Sequence, residues 1–181
     1  HREPLGLEKE LLMLGDEEVN VILSQNKTLS KEGADALEAS HPHIIASNTV
    51  LCDTRFDRLY GKYPSYLASN PSLSPTMQQR LFESKDENVL DVLASNPIIQ
   101  REILDRLFES GRFSMQLAKN SALSQENIKI LFLRGESEVL SALAANVSTP
   151  IEILYQLSLD QRFERSVKTN PAFGKHILTT L

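Results

Sequence analysis

Between residues 86 and 113 the chain passes from one apolar stripe to another, with punctuation between them. Val89 and Leu93 are one helical turn apart, with Leu90 and Ala94 beside them, so a short helix presents one apolar face. Asn96-Pro97 ends it, because Asn tolerates the left-handed conformation that closes helices and Pro cannot continue one. Ile99, Ile103, Leu104, Leu107 and Phe108 then trace a longer helical stripe, with Arg101, Glu102, Asp105 and Arg106 facing water. Ser110-Gly111 breaks that helix before Phe113 opens the next short one.

The same grammar recurs along the chain. Asparagines stand at 26, 48, 70, 96, 120, 146 and 170, at intervals of 22, 22, 26, 24, 26 and 24 residues. An aliphatic residue lies three places before each: Leu23, Ile45, Leu67, Leu93, Leu117, Leu143 and Val167. A leucine lies eleven places after each: Leu37, Leu59, Leu81, Leu107, Leu131, Leu157 and Leu181. Self-similarity at such a period is the signature of a solenoid. The expected fold is therefore all-α, a stack of repeats of about 24 residues, each a short helix, Asn, a turn and a longer helix. No strand pattern appears.

Taken in order, Leu7, Leu11 and Leu14 follow helical spacing, so Leu5–Leu14 reads as an amphipathic helix ended by Gly15-Asp16. Leu14 lies 23 residues before Leu37, close to the place of the fixed leucine in a partial leading unit. Val19 and Leu23 form the next apolar pair. Ser30, Ser74-Pro75, Ser124 and Thr149-Pro150 read as hydroxyl caps before the long helices. One domain is expected over residues 1–181, with a partial unit at 1–18 and about seven repeats from 19 to 181. The pattern stops at Leu181 without a polar capping repeat, which predicts end-to-end self-association there or a longer native chain.

Composition narrows the function classes. The 181 residues are 41% hydrophobic and 24% charged, with net charge −5, which argues against a constitutive, non-specific nucleic-acid binder. Residues 1–66 hold 7 Lys/Arg against 11 Asp/Glu, the ordinary mark of a solvated acidic surface. Cys52 is the only cysteine, so neither an internal disulfide nor a multi-thiolate metal site can form. Its place beside Leu51 predicts a buried thiol. No apolar run approaches the ~20 residues of a membrane span. The chain opens with His-Arg-Glu rather than Met, and the expected location is cytoplasmic.

Leu67-Ala68-Ser69-Asn70-Pro71 and Leu93-Ala94-Ser95-Asn96-Pro97 resemble the units of the leucine-rich repeat variant family. Ile45-Ala46-Ser47-Asn48, Leu117-Ala118-Lys119-Asn120 and Leu143-Ala144-Ala145-Asn146 match without the Pro, and Val167-Lys168-Thr169-Asn170-Pro171 without the Ala. The resemblance covers about residues 15–181. It implies a right-handed superhelix of alternating 3₁₀ and α-helices. The chain departs from the family in two ways. Arg often stands six places before the Asn in such repeats, and here those places hold Asn20, Pro42, Pro64, Leu90, Ser114, Leu140 and Glu164. One cysteine also cannot supply the iron–sulfur segment that accompanies some members.

No constellation points to catalysis, and no cofactor or metal is expected. His41-Pro42-His43 reads as a turn before Ile44-Ile45, since two His two places apart lack a third ligand at metal-site spacing. His176 falls in the last helix as a surface residue. Carboxylates such as Glu83, Asp86 and Glu87 are dispersed, and no nucleophile elbow or Gly-rich phosphate loop occurs. What remains is surface. If the shorter helices line the inner side, the positions five before each Asn form a row: Val21, His43, Ser65, Asp91, Met115, Ser141 and Arg165. His43, Asp91, Met115 and Arg165 are its candidate contacts. The mixed row suits a protein or peptide partner, and the first expectation is a non-catalytic interaction scaffold. The alternatives are a nucleic-acid-associated repeat protein using Arg80, Arg101, Arg106, Lys129 and Arg134, or a regulatory repeat domain of a longer polypeptide.

Overall fold

A computed structural model describes residues 4–48 and 51–180, with side chains for 6–47 and 51–175. Every regular element among the described residues is an α-helix, and no strand occurs. The chain divides into two compact units, His1–Leu93 and Ala94–Leu181.

The first unit holds α1 (Pro4–Met13), α2 (Glu17–Ser24), α3 (Lys31–Leu37), α4 (Pro42–Asn48), α5 (Asp53–Tyr60), α6 (Pro64–Ala68), α7 (Pro75–Glu83) and most of α8 (Glu87–Ser95). The second holds α9 (Arg101–Glu109), α10 (Ser114–Lys119), α11 (Gln125–Arg134), α12 (Ser137–Ala145), α13 (Ile151–Ser158), α14 (Gln161–Thr169) and α15 (Pro171–Thr180). The segments before each Asn are α-helical rather than 3₁₀ among the described residues. From α8 on they are not shorter throughout: α12 and α14 have nine residues, α13 eight. Length therefore does not single out an inner face.

Each unit is built on positions counted from the asparagines. The aliphatic residues three before them are all buried, as are the leucines eleven after in both units, from Leu37 to Leu157. Leu181 lies outside the described residues. The place three after each Asn is a further core position, filled by Leu29, Leu51, Leu73, Ile99, Leu123 and Phe173, all buried. The place four after is the helix N-cap, and Ser30, Ser74 and Ser124 each accept a backbone N–H there as expected.

Three local expectations are corrected. Thr149 is not a cap. It stands at the buried place three after Asn146, where its hydroxyl donates to the Leu143 carbonyl at 2.7 Å, and Pro150 takes the cap position without a side-chain bond. Cys52 is not buried. It occupies the N-cap of α5, where side chains face water, and it is exposed. Leu14 is 67% exposed because α1 ends at Met13 and the chain turns at Gly15 (φ 64°). Leu11 and Leu12 instead pack on the Leu23–Leu29–Leu37–Ile45 cluster.

The asparagines do more than end helices. Asn120, Asn146 and Asn170 are extended (φ near −75°, ψ near 120°), not left-handed. Their side chains run between repeats. Asn70 Nδ2 donates to the Ala46 carbonyl at 2.6 Å. Asn120 Nδ2 donates to Ala94 O and Asn96 O, Asn146 to Ala118 O and Asn120 O, and Asn170 to Ala144 O and Asn146 O, all at 2.8–3.0 Å. Each Oδ1 accepts the N–H two residues on, as with Ser72 at 2.7 Å and Ala122 and Ser148 at 2.8 Å. These amides are buried, and each answers helix-end carbonyls that water cannot reach. The alanine two before the Asn is fully buried at Ala46, Ala68, Ala94, Ala118 and Ala144, since only a small side chain lets the next repeat approach its carbonyl.

Candidate interaction surfaces

In the second unit, α10, α12 and α14 lie side by side and leave a groove of about 470 Å³. Met115 and Ser141 line it, with Ser166 from α14 beyond. Ala142 and Ala145 line it too, and Lys119 and Glu138 add opposite charges. Small residues on α12 make the hollow, and Met115 supplies an adaptable apolar wall. The expected row thus brings two of its members into one concave surface. Arg165 is exposed but does not line it.

In the first unit the row is carried by aromatic neighbours. His43 is exposed and tilts against Tyr66, ring centroids 5.6 Å apart, and Tyr63 meets Tyr66 edge-on at 6.4 Å. Tyr66 is 48% exposed although it stands one place beyond the row, at Ser65+1. Reading one position per repeat missed it, and the run Tyr63-Pro64-Ser65-Tyr66 was the available signal. Asp91 and Val21 are half-buried.

His41 and His43 do not converge. Pro42 opens α4, so His43 belongs to a helix rather than a turn, in line with proline's fitness for a first helical position. His41 is buried, its Nδ1 2.8 Å from Ser40 Oγ; Glu17 Oε1 is 3.2 Å from Nε2 but outside hydrogen-bond geometry. Among the described residues, no three His, Cys, Asp or Glu side chains gather as metal ligands would. The side chain of His176 lies outside the described residues, as does that of Asn48.

A charged cluster was not anticipated. Arg55 is buried in the core face of α5, at the repeat position held by Met77, Ile103 and Ile153 elsewhere. It reaches Asp35 Oδ1 at 2.6 Å and Glu38 Oε2 at 3.1 Å. Arg58 grips the same Glu38 through Nε at 2.9 Å and Nη2 at 2.7 Å. The hydrogen bond from Arg58 holds the Glu38 carboxyl below its ordinary range, with Arg55 adding to it and partial burial opposing.

The basic residues proposed for nucleic acid are largely engaged within the protein. Arg80 pairs with Asp57 at 2.6 Å and lies over the Phe56 and Tyr60 rings. Arg101 meets Asp105 at 3.6 Å, and Arg134 lies over Phe108. Arg106 is exposed but has partners of its own, and Lys129 is exposed. Among the described residues, no helix is long and apolar enough to cross a membrane. Neither protein-family models, curated proteins nor solved structures yield a match to this chain.

Proposed function

We propose that the protein is a non-catalytic protein-interaction scaffold: a right-handed superhelical solenoid resembling the leucine-rich repeat variant family, which engages a protein or peptide partner. The observation that carries this reading is the groove on α10, α12 and α14, where the non-repeating Met115 and Ser141 share one concave surface. Concave, partly apolar surfaces of rigid repeats suit peptide recognition. The exposed Tyr66–His43 pair adds a second aromatic contact of the kind that dominates binding energies. The cytoplasmic assignment belongs to the same reading.

The test is affinity capture from native lysate with wild type and two variants, Met115→Glu and Tyr66→Ala. A stoichiometric protein held by wild type and lost from either variant supports the scaffold. Equal recovery by all three, or none by any, counts against it. Nucleic acid is the weaker alternative, because Arg80, Arg101 and Arg134 have intramolecular partners. A salt titration of duplex binding with a slope near zero removes it.

A further inference from the structure

Asn26 differs from the asparagines that follow it in one respect. Its Oδ1 accepts the Thr28 N–H at 3.0 Å and the Thr28 hydroxyl at 2.9 Å, so the side chain is held in the pose of the other rungs. Elsewhere the amide nitrogen is buried against two carbonyls of a preceding repeat. Asn26 is exposed, and no carbonyl of the described residues meets its Nδ2. It opens onto a cavity of about 290 Å³, with Leu7 and Leu11 on one side and Leu23, Thr28 and Ser30 on the other. A pre-set donor beside an apolar groove is an incomplete rung.

We propose that this rung docks a partner protein's helix C-terminus in trans, an inference that rests on the scaffold reading. The occupied rungs define the ligand's chemistry. They take the last turn of a helix with two free backbone carbonyls, two residues apart, the first belonging to a small residue. In this chain that residue is Ala46, Ala94, Ala118 or Ala144, each fully buried. A second copy does not offer this turn at Asn170, because Lys168 stands in the alanine's place and is exposed. The occupant is therefore an unlike protein whose helix ends on a small residue. Its aliphatic side chains would fill the space beside Leu7 and Leu11.

The probe is a synthetic peptide of residues 137–147 of this chain, whose Ala144 and Asn146 carbonyls already serve Asn170. It is titrated into ¹⁵N-labelled full chain. The expected result is a shift of the Asn26 side-chain amide and of the Leu7, Leu11 and Thr28 backbone signals. Asn26→Asp keeps the oxygen that binds Thr28 but removes the donor, and it should weaken binding about fivefold to tenfold. Unchanged spectra elsewhere in the variant show that it folds. Equal affinity of the variant, or no shift near Asn26, overturns the proposal. Shifts confined to Met115 and Ser141 also overturn it while leaving the scaffold reading in place. Loss of the captured partner on Met115→Glu but not on Asn26→Asp does the same.

Discussion

Asn146 meets three backbone groups at once, the carbonyls of Ala118 and Asn120 and the N–H of Ser148, and it is 5% exposed. Truncation strands all three away from water, so Asn146→Ala should destabilise by about 2–4 kcal/mol, more than an ordinary surface change. Chemical denaturation read by circular dichroism measures it; a loss below about 1 kcal/mol would mean that the rungs are dispensable. A second residue carries strain rather than bonds. Lys85 has φ 54°, and it stands fifteen places after Asn70, where Gly111 and Gly135 stand after their own asparagines with φ 70° and 73°. The left-handed region costs a side-chain-bearing residue about 1–2 kcal/mol, partly offset by glycine's greater freedom when unfolded. Lys85→Gly should thus stabilise by about 0.5–1 kcal/mol in the same assay.

At the scale of the helix, the cap position four after each asparagine is the most instructive. Ser74 and Ser124 bond their helix N-termini, whereas Cys52 makes no side-chain cap bond to α5. A hydroxyl satisfies an orphan N–H that a thiol leaves to water. Cys52→Ser should raise stability by about 0.5–1 kcal/mol, seen as an increase in Tm. No change would show that α5 is held by Phe56 and Arg55 alone. A related contact ties α1 to the start of α3. Glu8 accepts from the Ser30 backbone N–H at 3.1 Å and from its hydroxyl, placing a carboxylate at the positive end of a helix. Gly33 suits this approach, since a Cβ there would fall within 2.2 Å of the Glu8 carboxylate.

For the molecule as a whole, the pH dependence follows from Glu38. Its folded pKa is depressed below the ordinary value of 4.5, first by the Arg58 hydrogen bond. A depressed carboxyl contributes stability above that ordinary value and loses it as pH falls through the folded one. Tm should therefore decline as pH drops below about 4.5. Glu38→Gln should start lower at pH 7 and show a shallower decline, and parallel curves for both proteins would refute the assignment. The Asp160–Arg162 pair shifts in the same direction but is exposed on both sides and adds little.

The helical content and the core leucines were legible in the sequence, because helix period and helix-stopping residues are local properties. Val89, Leu93, Ile103 and Leu107 declare their faces by spacing alone, and each is buried. Ser30, Ser74 and Ser124 declared their caps in the same way. Thr149 and Cys52 did not, since residue type favours a cap or a core in isolation while their register assigns the opposite place. Arg55 was illegible for a similar reason: a buried guanidinium is tolerated only where Asp35 and Glu38 converge from another helix. The asparagines show the division best. Their recurrence marked them as framework, and sequence reasoning made them helix stops. Only the tertiary structure placed each buried amide against carbonyls more than twenty residues away, because a hydrogen bond between repeats depends on stacking distance and leaves no period beyond the asparagine itself.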